Sequence, residues 1–528
     1  MIKTQIRLEL SYTEKDIKSA ISMRLPISSE EIREVKLLKR SLNLKEKSDP
    51  HYTATVAFSA SSRREEGLLK MRKKVSPAPD FLLEIPRSAE MHSRPVVVGA
   101  GPAGLFAALA FAEAGARPIV VERGLDVDSR AESVKKFIEE RRLDSESNVQ
   151  FGEGGAGAFS DGKLKYGAID KYKMKVLSEF LLAGADESVT YSDSAHLGTD
   201  KLPVIIKKIR EKIISLGGEF VFSARVFDLV LTNNALSGVR YKKQGEEFII
   251  PADTVVFATG HSARDVFELL LGLGAELTPR PFGIGVRVEH PREYINELVY
   301  GKGYDNRLPT ASYHLVTHLP SGRSVYSFCM CPGGTVVAAT SEEGRVVTNG
   351  MSEYARNAEN SNSALLVSVA PEDFPSKHPL AGLDLQRMIE ERAFLAGGSD
   401  YSAVSQRMDD FLSKNKSDAI DSASYPLGTR ATEIDAVLPD FITEALREGI
   451  AEFDKWVPGF YLPSAVLTAA ETRSTSPVRV QRGEDFEANG IKGLYPVGEG
   501  AGYAGGIVSS AVDGLKCAIS ILAKKYSK

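Results

Sequence analysis

A chain of 528 residues, 43% of them hydrophobic and 26% charged, is long and apolar enough to bury several cores, which excludes a single small module. A net charge of -4 argues against general polyanion binding, and three cysteines exclude a disulfide framework and suit a reducing cytoplasm. Residues 1–5 enter an alternating strand rather than a signal peptide, and the apolar run 507–523 is broken by Asp513 and Lys516, so no membrane partner is expected.

At the N-terminus, Ile2, Ile6, Leu8 and Leu10 alternate as in a half-buried strand, and Thr13 caps a helix over 13–23. Residues 34–44 and 52–58 read as strands, 62–74 as a helix and 81–85 as a final strand. This β-α-β-β-α-β order is the ferredoxin-like arrangement, which makes residues 1–88 a small α+β domain. Residues 1–90 hold 18 Lys and Arg against 13 Asp and Glu, a balance of +5 that leaves -9 on the remainder. A solvated face explains this balance, with RNA docking as the alternative. Residues 86–95 form a linker.

Three valines, Val96 to Val98, then lead into Gly99-Ala100-Gly101-Pro102-Ala103-Gly104 and an Ala-rich apolar run. This is a glycine turn between a buried strand and a helix, in which Gly99 allows the tight turn and Gly101 lets the backbone approach a pyrophosphate. Gly104 brings helix and strand together beside Ala103. The next strand, over 117–121, ends in Glu122, 18 residues beyond Gly104 and placed to accept both hydroxyls of an adenosine ribose, with Arg123 beside it. Gly154, Gly155 and Ala156 belong to a second backbone-rich loop that wraps the ligand, close to Ser160-Asp161-Gly162-Lys163. A further buried strand over 254–257 ends in Ala258, Thr259 and Gly260.

The same unit serves NAD and FAD, and the far end of the chain decides between them. There a short strand runs into Gly498, Glu499, Gly505, Gly506 and Ile507, and then into a helix over 507–523. The positive N-terminus of that helix suits the carbonyl region of a reduced flavin, so the three distant segments converge on noncovalent FAD. The fold class is α/β: a Rossmann-like FAD-binding domain over 94–278 that returns at 485–528, around an inserted β-rich α+β substrate domain over 279–484. Within the insert, 383–396 and 402–414 read as helical and as a lid over the flavin. Gly272 and Gly274 read as a helix end and turn rather than a second nucleotide unit, so NADH or NADPH would visit the flavin transiently.

Several segments resemble one bacterial family. These are Phe151 to Gly157 with Ser160 to Leu164, Ala258 to Asp265, Gly285 to His290, Phe328 to Gly334, Asn349 to Ser352 and Gly498 to Gly514. They are similar to those of the uncharacterised bacterial FAD-dependent dehydrogenases, flavoproteins with a small N-terminal domain. The resemblance covers nearly the whole chain and implies FAD binding and an oxidoreductase reaction, without a substrate.

For proton transfer, His290, Glu289 and His261 are the candidate catalytic residues, since an imidazole near neutral pKa protonates a substrate while flavin N5 delivers hydride. Arg287, Arg430 and Arg473 are the candidate anion readers for a small-molecule substrate. Cys329 and Cys331, on one strand face, read as buried structural thiols, because a Cys-x-Cys disulfide is strained, and they lack the further ligands of a zinc site. The expected function is hydride exchange between FAD and a small molecule. The alternatives are an RNA-associated flavoprotein and a flavin-binding protein without turnover.

Overall fold

The computed structural model describes residues 1–87, 93–164, 167, 169–420 and 422–526. Residues 88–92 of the expected linker lie outside the described residues. The N-terminal sheet is antiparallel, in the order Val35–Asn43, His51–Phe58, Ile2–Leu8 and Ser76–Pro77. Its inward residues Ile2, Ile6 and Leu8 pack on Ile17 and Ile21 of the helix Glu14–Arg24, which starts with a capping box between Thr13 and Asp16. Two expectations shift here. The second helix is Ser62–Leu69 and stops before Lys70, Arg72, Lys73 and Lys74, whose like charges gain nothing from sharing a helix. The fourth strand is Ser76–Pro77 rather than 81–85, because Leu83 and Ile85 pack against the core of the glycine-turn domain.

That next domain is built on a five-stranded parallel sheet ordered Leu494–Pro496, Val255–Phe257, Val96–Val98, Ile119–Val121 and Glu219–Val221. Short valine runs suit strands buried on both faces. On one face Val97, Val120 and Val256 meet the helices Pro102–Glu113 and Ile507–Tyr526. On the other, Val96, Val98, Val121 and Val255 meet the antiparallel strands Arg225–Thr232 and Ala235–Lys243. The two helices touch almost backbone to backbone, since a Cβ on Gly514 would sit 1.9 Å from the Ala103 carbonyl oxygen.

Residues between these two stretches of sheet form a seven-stranded mixed sheet in the order Val316–His318, Ser324–Cys331, Asn360–Val369, Phe282–Pro291, Val466–Glu471, Ala403–Arg407 and Thr429–Ala431. The expected lid is absent among the described residues. Residues 403–407 are a strand held between two others, and the helix Ala381–Ala396 buries Gln386 and Glu390 completely. No helix among the described residues is long and apolar enough to cross a membrane.

Candidate active site

The strands Val96–Val98, Val255–Phe257 and Leu494–Pro496 lie side by side and parallel, so the loops at their C-terminal ends open into one place. There they line a cleft of about 320 Å³, the position at which parallel α/β sheets bind ligands. Gly99, Gly101 and Ala103 line it from the first loop, Ala258, Thr259, Gly260 and His261 from the second, and Gly498, Glu499, Gly505, Gly506 and Ile507 from the third. Gly155 and Ala156 close it from the side.

Two glycines are required sterically. Gly99 has φ +101° and its Cβ would meet the Ala258 carbonyl oxygen at 2.4 Å, while a Cβ on Gly104 would lie 1.9 Å from the Gly99 oxygen. Gly104 therefore acts behind the cleft wall, and Gly154 likewise faces Ile206 rather than the cleft. At Gly260 and Gly505 a Cβ would meet nothing within 4 Å, and at Gly101 only Gly155, at 3.8 Å. These positions leave bare backbone facing a cradle that side chains would fill.

Glu122 lines the cleft but is engaged differently from the sequence expectation. Its Oε2 accepts from Ala100 N at 2.7 Å, and its Oε1 accepts from Gly124 N at 2.9 Å and Gly152 N at 3.0 Å. With three acceptor positions committed to amides, it clamps the glycine turn first and has little left for two ribose hydroxyls. Arg123 lines the same end, held by Glu146 at 3.0 Å and Asp265 at 3.1 Å. Arg130 is a further contributor that the sequence does not reveal. It is completely buried and donates to the carbonyls of Asn148, Val149, Gly152, Glu153 and Gly155, folding the 148–155 loop around one guanidinium. Burial pulls its pKa down to about 10, with Glu122 and Glu153 opposing, so it stays charged at neutral pH. Nothing in its local sequence marks it, because its partners are backbone oxygens.

At the other end the cleft is lined by Lys163, Phe328, Cys329, Asn349, Glu471 and Arg473. Arg287 lies behind this wall, fully buried, with its Nε on Glu471 at 2.7 Å and its Nη2 on both Glu471 and Asn349. Its charge is neutralised inside the protein, so it supports the wall instead of reading a substrate. Glu471 is likewise not apparent from the sequence. Burial pushes its carboxyl above the usual range against the pull of Arg287, yet the bidentate contact favours an ionised pair. Arg473 reaches the cleft, but its guanidinium is tied to Glu390 at 2.9 Å and to Ser341 at 2.6 Å. Arg430 lies away from the cleft, half-exposed and paired with Asp400 at 3.1 Å.

Of the acid–base candidates, only His261 reaches the cleft, with its Nδ1 3.4 Å from Glu499 Oε1. Glu289 instead accepts from the Ser424 backbone and side chain and from Asn360, away from the cleft. His290 points to the opposite face of its strand, where Nε2 meets the Phe460 carbonyl at 3.0 Å and the ring stacks on Tyr294. Burial lowers its pKa to about 4. The unfolded chain therefore binds the proton first, so His290 costs the fold roughly 3 kcal/mol as pH falls from about 6.5 toward 4. In an NMR titration its ring is expected to stay neutral down to pH 5, whereas titration near pH 6.5 would show that it is open to solvent.

Cys329 and Cys331 also depart from the expectation of two inert thiols. A bulge shifts the register between Phe328 and Cys331, and Cys329, at φ +41°, lines the cleft while Cys331 stays buried.

Residues 93–278 match the pyridine nucleotide-disulphide oxidoreductase family, and residues 281–474 match the family described as FAD-dependent protein, C-terminal domain-like. An uncharacterized protein of Clostridium beijerinckii is 43% identical over 529 residues, spanning 98% of this chain and 98% of that protein. The chain belongs to a family of uncharacterised FAD-dependent proteins. Flavin-dependent brominase Bmp2 aligns over 82% of this chain and 80% of its own at 13% identity and a TM-score of 0.37. The 3-ketosteroid-delta4-(5alpha)-dehydrogenase of Rhodococcus jostii RHA1 aligns over 83% and 100% at 15% identity and a TM-score of 0.34. Likeness at this level says nothing about the reaction. The flavoprotein is an FAD-dependent oxidoreductase, and its bare-backbone cradle fits that cofactor.

Proposed function

We propose that the flavoprotein exchanges a hydride between FAD and a small molecule bearing an anionic or carbonyl oxygen, bound at the Lys163 and Asn349 end of the cleft. The orientation of Asn349 carries this reading. Its Oδ1 accepts from Arg287 at 2.7 Å and from Gly350 N at 2.8 Å, which leaves its amide NH₂ as the donor on the cleft wall. Lys163, 18% exposed and only at 4.0 Å from Asp161, adds a cation beside it. One oriented amide donor and one cation favour an electron-rich oxygen over a hydrocarbon.

FAD supplies the two-electron chemistry when bound, through N5 of its ring. The chain's own groups bind and orient. Gly99, Gly101 and the N-terminus of the helix Pro102–Glu113 would receive the pyrophosphate, and Gly505, Gly506 and the start of the helix Ile507–Tyr526 would receive the ring. His261, whose Nδ1 lies 3.4 Å from Glu499 Oε1, is the acid–base side chain that we place in proton transfer at the cleft. NADH or NADPH would enter from the open side as a transient donor. We read residues 1–88 as a ferredoxin-like domain, 94–278 with 485–528 as the FAD-binding domain, and 279–484 as the inserted substrate domain of a cytoplasmic enzyme.

The test is anaerobic reduction of the yellow protein by NADH or NADPH, followed by a screen for compounds that reoxidise it. For the compound found, Lys163→Met is expected to raise KM about 10-fold or more, the scale of one charge-assisted hydrogen bond, while kcat changes less. An unchanged KM for an anionic substrate would remove Lys163 from the site.

A further inference from the structure

We infer that Cys329 and Cys331 form a redox dithiol facing the flavin, giving the protein a second activity, the reduction of small disulfides. The inference rests on the cleft being the flavin site, and three observations carry it. Cys329 lines the same cleft as Gly505, Gly506 and Glu499, which puts it on the wall of the space assigned to the flavin and substrate. The bulge between Phe328 and Cys331, with Cys329 in the left-handed region, breaks the strand alternation that would hold the two side chains in fixed register. Cys331 Sγ donates to the Cys329 carbonyl at 3.3 Å, which keeps the second sulfur against the first residue. A non-glycine residue at positive φ is costly, and such conformations collect where a side chain must be aimed at a ligand.

The surroundings favour a nucleophilic sulfur at Cys329. Arg287 donates to the Cys329 carbonyl at 2.9 Å and brings a buried positive charge to the pair, while Lys163 approaches from the cleft side and Asp161 is the opposing charge. The hydrogen bond from Cys331 holds the Cys329 thiol below its ordinary range, against burial and with help from Arg287. The same bond and burial push Cys331 up, so it keeps its proton. A thiol on the cleft wall held low and a buried thiol held high is the division of labour of an attacking and a resolving cysteine.

The electrons balance in two steps. Cys329 thiolate attacks a small disulfide, releasing one thiol, and Cys331 displaces the second thiol, which leaves a Cys329–Cys331 disulfide. Reduced FAD then returns two electrons and two protons to that disulfide, restoring both thiols and oxidised FAD. The strain of a bridge across one residue makes the disulfide easy to reduce, as this return step requires.

The experiment counts electrons and thiols on the holoprotein. Anaerobic dithionite titration is expected to consume four electrons per FAD in the wild type, starting from protein oxidised with oxidised glutathione, and two in Cys329→Ser and Cys331→Ser. In the oxidised wild type, one thiol should react after denaturation, that of Cys517, against three after reduction, and peptide mass mapping should place the bridge at 329–331. Oxidised glutathione should reoxidise dithionite-reduced wild type at least 10-fold faster than either variant. Two electrons per FAD together with three free thiols in the oxidised protein would overturn the dithiol. Absence of bound FAD would count against the flavin reading of the cleft, and the thiol count would still decide the pair by itself.

Discussion

Gly101→Val is expected to give a folded, colourless protein. Gly101 has φ -76° and ψ -179°, extended backbone that valine adopts readily before a proline, and its Cβ would meet only Gly155, at 3.8 Å. The isopropyl group therefore costs the empty fold little. It projects into the cleft where the pyrophosphate must approach the backbone, so FAD affinity should fall at least about 100-fold, or about 3 kcal/mol. Gly104→Ala is the contrast. Its Cβ would lie 1.9 Å from the Gly99 carbonyl oxygen, so helix and strand must separate and folding itself should suffer. Flavin released by acid, measured beside thermal unfolding of the apoproteins, separates the two cases. Stoichiometric FAD in Gly101→Val would move the pyrophosphate elsewhere.

Glu390→Gln is expected to produce the largest loss of stability. The carboxylate is fully buried and receives Arg264 at 2.6 and 2.9 Å, Arg473 at 2.9 and 3.1 Å, and the Thr472 hydroxyl at 2.7 Å. Neutralising it leaves two buried guanidinium groups with only the partly exposed Glu342 nearby, a change of about 3–5 kcal/mol against a total stability of about 5–15 kcal/mol. Arg473 also lines the cleft, so the variant should lose FAD affinity together with stability. The pH dependence has a definite sign. Burial alone would raise the Glu390 carboxyl, but Arg264 and Arg473 outweigh it and hold the folded-state pKa well below the usual range. This stabilisation is complete above the unfolded carboxylate pKa of about 4.3 and is lost as pH falls below it toward the folded value. Denaturant melts from pH 6 to pH 3 should show an acid-side decline in the wild type that is shallower in Glu390→Gln. Parallel declines would mean that other carboxylates dominate acid unfolding.

The cradle around Gly101 was legible without coordinates, whereas the charge cluster around Glu390 was not. The glycine turn, the valine strands and the C-terminal glycine loop were readable because each follows from local chemistry: a missing Cβ, a run of apolar β-branched residues, a helix N-terminus. Those three segments converge in the parallel sheet because buried strands of one sheet open their loops at the same edge. The sequence by itself thus determined the glycine-lined cradle and which backbone segments form it. Only the tertiary structure decided which charged and polar side chains reach the ligand. Arg287, Glu289 and His290 stand together in the chain, yet strand alternation and pairing with residues more than 60 positions away turn all three from the cleft. The same long-range packing brought Arg130 under the loop, oriented Asn349 and set Cys329 on the cleft wall. A buried charge is satisfied by whatever partner the fold delivers, and that partner lies too far along the chain for local pattern to name it.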